Sequence, residues 1–146
     1  MSNLVGVGLL LFKGDTVYVI QELVRKSSDF SKKPGDFSIP METLEEGESH
    51  EQGITRLLKE EVDDTNSIQI TKPLYIGHCS YTGTKHATQA HLYVSWLQHW
   101  DGRDFSGSHV GIEYLPYGFI SQAELLKKGR QGMEDILRLV ELYAEF

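Results

Sequence analysis

Residues 4–12 and 17–24 are rich in Val, Leu and Ile and flank Lys13-Gly14-Asp15, a pattern that predicts two strands joined by a tight turn. The polar run from Lys26 to Asp36, with Pro34-Gly35, predicts a loop, followed by a short strand at Phe37–Ile39 that Pro40 ends. Further β regions are predicted from Ile68 to Tyr81 and from Thr88 to Trp100. In the second, His91, Tyr93, Ser95 and Leu97 alternate with Leu92, Val94 and Trp96. Asp101-Gly102-Arg103-Asp104 reads as a turn and Phe105–Glu113 as a loop or edge strand. Two helical patterns close the chain, Ser121–Lys128 and Gln131–Phe146; in the latter Met133, Ile136, Leu137, Val140 and Tyr143 recur at helical spacing. No repeat, low-complexity tract or linker interrupts this order, so residues 1–146 read as one layered α/β or α+β domain.

One further helix is predicted in the middle, from about His50 to Val62. Ser49 and Gln52 form a capping box, and Glu48 and Glu51 suit the positive end of a helix. Stepping about 100° per residue places Ile54, Leu57, Leu58 and Val62 on a single apolar face. Glu61 falls inside that face and Glu60 at its edge. A carboxylate so placed is costly unless it is paired, protonated or bound to a cation. Three readings follow for Glu61. One is an ion pair, or a helix rotated or frayed at its end. The second is a divalent cation held by Glu60, Glu61 and other oxygens. The third, a calcium-binding EF-hand loop, fails, because Asp63-Asp64-Thr65-Asn66 lacks the alternating ligands, the central Gly and the terminal Glu.

The charge distribution points to the same stretch. Fourteen Lys and Arg stand against 21 Asp and Glu, a net of −7 over 146 residues. Between Glu42 and Asp64 there are nine acids and two bases, which is the whole imbalance. A chain with no excess of basic charge is not expected to bind DNA or RNA through the phosphate backbone. The single cysteine, Cys79, cannot form an internal disulfide, which fits a reducing cytoplasm. The apolar opening from Leu4 to Phe12 is shorter than the about 20 residues of a membrane helix, and it lacks the flanks of a signal peptide. A soluble, cytoplasmic, single-domain protein is expected.

The segment GDFSIPMETLEEGESHEQGITRLLKEEV, Gly35 to Val62, resembles the Nudix box with its lead-in strand. Glu48 stands at the motif's first Glu; seven residues later comes Arg56, then Leu57, Leu58, Lys59, Glu60 and Glu61. The lead-in FSIP and the loop Glu45-Glu46-Gly47-Glu48-Ser49 also match, and GFISQAEL, Gly118 to Leu125, resembles the family's aromatic-led start of a late helix. The resemblance implies an α/β/α sandwich around a central mixed β-sheet. It also implies a hydrolase that uses Mg²⁺ or Mn²⁺ to cleave the diphosphate linkage of a nucleoside diphosphate joined to another group. Acidic side chains cannot bind a diphosphate directly, so metal ions must come between. The implied metal ligands are Glu60, Glu61 and the backbone carbonyl of Met41, with Glu48 and Gly47 structural in the box and Arg56 orienting a box glutamate, either Glu48 or Glu60. Dimers are common in the family, but no interface is legible.

The departures set the limits of the resemblance. The family's opening Gly-Gly is Met41-Glu42 here and its Gly after the helix is Asp63, so the Met41 carbonyl is open to displacement. The Glu that follows Arg in the motif, a metal ligand or water-activating base in various members, is Leu57. His50 projects near the same arc but lies about 10 Å back along the helix, too far to substitute. Glu113, six residues before Phe119, stands where the family often supplies one more carboxylate, and reads either as a ligand or base or as an ordinary surface acid. Lys85 and His86 lie in a Gly-Thr-Lys-His turn suited to a phosphate. His78, His91 and His99 read as packed or surface residues of strands, and Trp96 and Trp100 as packing residues, Trp100 with the reach to meet a base. The leading expectation is a divergent Nudix pyrophosphohydrolase. Leu57 supports the alternative, a catalytically weakened Nudix-fold domain that binds a nucleotide in a regulatory role, and a third reading is an acidic module for a basic partner.

Overall fold

The apolar run that opens the chain forms β1 (Ser2–Lys13) in a computed structural model, and turns back through Gly14 at φ 60° into β2 (Thr16–Glu22). The structure describes residues 2–23, 35–63, 67–82, 86–100, 114–130 and 132–144. These form eight strands and three helices. The other strands are β3 (Phe37–Ser38), β4 (Met41–Thr43), β5 (Gln69–Ile70), β6 (Leu74–Thr82), β7 (His86–His99) and β8 (Tyr114–Ser121). The helices are α1 (His50–Leu57), α2 (Gln122–Lys128) and α3 (Met133–Ala144).

β1 is the axis of a mixed sheet. It pairs in parallel with β7, with Val7 opposite His91 and Leu9 opposite Tyr93, and antiparallel with β4, with Val7 opposite Glu42. Because residues 6–8 take part in both ladders, β4 and β7 lie on opposite edges of that part of β1. β2 carries β3 and β8, and β7 carries β5 and β6, all antiparallel. Val7, Leu9, Leu10 and Leu11 are all fully buried, as a strand covered on both faces requires, which explains a continuous apolar run rather than an alternating one. On one face Val7, Leu9 and Leu11 pack with Ile54, Leu57 and Val62. On the other, Leu10 and Phe12 pack with Leu125 of α2 and with Met133, Ile136 and Leu137 of α3. The result is the expected α/β/α sandwich around a mixed sheet. No helix among the described residues is long and apolar enough to cross a membrane.

Several predicted boundaries shift. The region from Ile68 to Tyr81 divides into β5 and β6 around Thr71-Lys72-Pro73. β4 and β8 go unpredicted. Three residues are too few for periodicity to register, and Pro116 and Gly118 (φ 125°) mask β8, which pairs with β2 across an irregularity at Val19/Ile20. The last helix starts at Met133 rather than Gln131. The predicted loop at Lys26–Asp36 lies largely outside the described residues, and the turn and loop at 101–113 wholly so.

Candidate active site

The site is built on α1 and the strand beside it. Ser49 caps the helix: its hydroxyl accepts from the Gln52 N–H at 3.1 Å, while the Gln52 carboxamide oxygen accepts from the Ser49 N–H at 2.9 Å. The preceding turn passes through Gly47 at φ 77°, a conformation that disfavours a side chain. Gly53 faces the sheet, where a Cβ would press on Leu44 and Val7; its missing side chain lets the helix seat closely against β1 and β4.

The predicted helix does not continue unchanged to Val62. Leu58–Val62 forms a π-helical turn, closed by the Asp63 N–H donating to the Leu58 carbonyl at 2.7 Å. The wider turn changes the facing of the last residues, which a uniform helical projection cannot foresee. Glu61 is buried, with 4% of its surface exposed, and the Glu60 side chain is partly exposed. Asp63, where the family has Gly, adopts an extended φ of −154° that any residue tolerates. Its carboxylate accepts from the Ser67 N–H and hydroxyl and from the Ile68 N–H, tying down the chain after the helix.

Arg56 is the hub. Its Nε and Nη2 grip the two Glu48 oxygens in a fork, each at 2.9 Å, and Nη2 also donates to the Thr43 carbonyl at 2.8 Å. Nη1 reaches Glu42 at 3.1 Å and Glu60 at 3.4 Å, so both predicted partners of Arg56 are present and Glu42 is a third. Hydrogen bonding to Arg56, with the Glu45 N–H behind it, lowers the Glu48 pKa to about 2. The same contact with Glu48 raises the pKa of Arg56.

Glu42, which stands in place of a motif glycine, is not singled out by the sequence but joins the cluster around Arg56. Its carboxyl lies 3.1 Å from Arg56 Nη1, the nitrogen that also meets Glu60 at 3.4 Å. Burial first, then Glu60, pushes its pKa up to about 7 against the opposing pull of Arg56. Tyr18 borders this cluster. It is 1% exposed, and its hydroxyl has no hydrogen-bond partner among the described residues. Burial, and then the charges of Glu61 and Asp63, raise its pKa.

Leu57 is fully buried, in the apolar cluster that joins α1 to β1. The Met41 side chain packs on the opposite core. The Leu9 N–H bonds the Pro40 carbonyl and the Leu44 N–H the Val5 carbonyl, so the antiparallel alternation turns the Met41 carbonyl away from β1. Lys85, His109 and Glu113 lie outside the described residues, and of His86 the structure describes only its backbone place at the start of β7. His50, His78 and His91 form a separate group on the β7 side of α1. Trp96 stacks on Phe12, and Trp100 packs against Tyr18 and Phe119. Cys79 packs against the core.

The donor set fits a hard divalent cation in its chemistry, since Glu42, Glu60 and Glu61 offer oxygen alone and Arg56 is already engaged by Glu48. No three acidic, imidazole or thiol groups among the described residues stand around one point in ready ligand geometry. Glu42, Glu48 and Glu60 pair with Arg56 instead.

The NUDIX domain family matches residues 2–140 of the chain. The fold is similar to that of a NUDIX hydrolase from Nitrosomonas europaea, with a TM-score of 0.71 and 16% identity over 99% of this chain and 90% of that one. It is also similar to a MutT protein from Methanosarcina mazei Go1, with a TM-score of 0.66 and 16% identity over 97% and 96% of the two chains. An ADP-ribose pyrophosphatase from Streptococcus suis 89-1591 matches with a TM-score of 0.62 and 15% identity over 96% and 91%. No curated protein matches the chain by sequence.

Proposed function

The chain belongs to the NUDIX family, and from that premise we propose that it is a metal-dependent hydrolase of a nucleoside diphosphate linked to a further group. The observation that carries the reading is Glu61: a carboxyl 4% exposed, on the π-helical turn that ends the box, next to Glu60 in the chain. A buried carboxylate is maintained when charge, hydrogen bonding or a cation compensates it. Glu60 and Glu61 would hold Mg²⁺ or Mn²⁺. When bound, the cation neutralises the diphosphate, polarises its phosphoryl oxygens and acidifies an attacking water.

The chain's own groups provide the frame. Arg56 locks Glu48 and through it the loop entering α1, while its Nη1 steadies Glu60. The capping box and Gly53 fix the helix against β1 and β4. Lys85 and His86 are our sequence candidates for gripping the diphosphate, Glu113 for a further ligand or base, and the Met41 carbonyl for another donor.

A second reading has its own observation. Leu57 is fully buried where the family places a Glu, which favours a domain that binds nucleotide and turns it over slowly or not at all. One screen separates the two. Purified protein is incubated with Mg²⁺ or Mn²⁺ and capped, sugar-linked, dinucleoside and triphosphate substrates, alongside Glu61→Gln and Leu57→Glu. Turnover by the wild type that Glu61→Gln abolishes supports the hydrolase. Nucleotide binding with no turnover by any of the three proteins sinks it and supports the binding domain.

A further inference from the structure

We propose that His50, His78 and His91 form an acid-sensitive latch, which docks the first turn of α1 on β6 and β7 while the three imidazoles are neutral and releases it when they take up protons. It goes beyond the hydrolase reading, since none of the three is assigned there to the cation or the diphosphate.

Strand register brings the three together. His91 stands opposite Val7 of β1 and opposite His78 of β6, so both imidazoles lie on the face of the sheet that α1 covers. Tyr93, two residues on, faces Tyr75 in the same way. His50 is the first residue of α1 and closes the group. Its ring centre lies 4.5 Å from that of His91, and its Nδ1 shares a 2.6 Å hydrogen bond with the Tyr93 hydroxyl. His78 lies 5.7 Å from His91, whose Nδ1 shares a 2.9 Å bond with the Tyr75 hydroxyl. The start of the box helix is thus tied to β7 through an imidazole that stacks on another imidazole.

What this cluster lacks is a counter-charge. Residues 74–99, which include both strands, contain no Asp or Glu. The acids nearest His50 in the chain are Glu48, which Arg56 holds, and Glu51, which is exposed. Among the described residues no carboxylate pairs with any of the three histidines. The remaining titratable groups there are the phenols of Tyr75 and Tyr93; burial, and then Tyr75, raises the Tyr93 pKa, so that phenol keeps its proton. A proton on His50 sits at the positive end of α1. Protons on His78 and His91 set like charges directly opposite each other across an antiparallel pair. Burial, and then His50 and His78, already hold His91 below its ordinary value. The docked state therefore contributes stability above 6.5 that is lost as the pH falls. The acids around Arg56 do not produce that loss. Glu48 stays ionised down to about 2, and Glu42, raised to about 7, holds its proton more tightly folded.

The test is amide hydrogen exchange at Gly53–Leu57, corrected for its intrinsic pH dependence, from about pH 7.5 to about pH 5. Wild type, His91→Gln and His78→Gln are compared, with ring-proton resonances of the histidines followed alongside. Each pKa unit by which docking disfavours a proton is worth a factor of ten, so wild-type protection should fall about tenfold or more on acidification. His91→Gln removes the central charge and should cut that fall to about threefold or less. His78→Gln replaces an exposed ring, should relieve the fall in part, and decides the matter where His91→Gln does not fold. The three rings should titrate as a coupled set, over a wider range than single sites. Wild-type protection that holds at about pH 5, or rings that titrate independently, overturns the proposal. A fall that the folded variants keep in full overturns it as well.

Discussion

Two polar clusters flank the same helix and solve opposite problems. On the β4 side, Glu42, Glu48, Glu60 and Glu61 gather near one guanidinium. On the β7 side, His50, His78 and His91 gather with Tyr75 and Tyr93, the rings of His50 and His91 4.5 Å apart and those of His78 and His91 5.7 Å apart. There the Nδ1 of His50 shares a hydrogen bond with the Tyr93 hydroxyl at 2.6 Å, and the Nδ1 of His91 one with the Tyr75 hydroxyl at 2.9 Å. Burial, and then His50 and His78, lower the His91 pKa, which favours the neutral imidazole. In the acidic cluster the carboxylates accept and Arg56 donates, so ion pairing holds that side. Similar crowding means aromatic and hydrogen-bonded packing on one side of α1 and charge pairing on the other.

The largest expected break in this comparison is Arg56→Ala. It leaves Glu42, Glu48 and Glu60 facing one another, at a cost of about 1.5–3 kcal/mol for the lost charged hydrogen bonds. Urea unfolding of the metal-free variant measures it, and added Mg²⁺ should recover part of the loss. The matching break on the other side is smaller: Tyr93→Phe deletes one hydrogen bond to His50 and should cost about 1 kcal/mol, unchanged by Mg²⁺. A Mg²⁺-sensitive loss in Tyr93→Phe would mean that the two clusters are not separable.

The smallest effect is a change of slope in stability against pH. Glu42, raised from 4.5 to about 7, holds its proton more tightly folded than unfolded. Its contribution is fully present below 4.5 and is lost as the pH rises through about 7. His91 has the opposite sign: held below the ordinary imidazole value of 6.5, it contributes stability above that value that is lost as the pH falls. Without divalent cations, Glu42→Gln should make the melting temperature rise more steeply with pH across this window, and His91→Gln should flatten it. Slopes that move together would contradict the assignment of opposite roles.

Much of this was legible in the chain. The turn at Lys13-Gly14-Asp15, the Ser49–Gln52 cap and the placing of Glu61 on a buried helix face all follow from short-range pattern, because each depends on residues within a turn or two of each other. Glu42 was passed over as a missing glycine, since its partners lie 14 to 19 positions away and only the docking of α1 beside β4 brings them near. The histidines were read singly as strand residues, for the same reason: His50 joins His78 and His91 only once α1 lies over β7.

The sequence by itself determined the order of the elements, the family motif, the acidic helix and the loss of its central glutamate at Leu57. These rest on local periodicity and spacing, which are properties of the chain. Tertiary structure decided which charges meet around Arg56. The β1–β4 register and the meeting of Glu42 with Arg56 arise from packing between distant segments, and no local pattern encodes them.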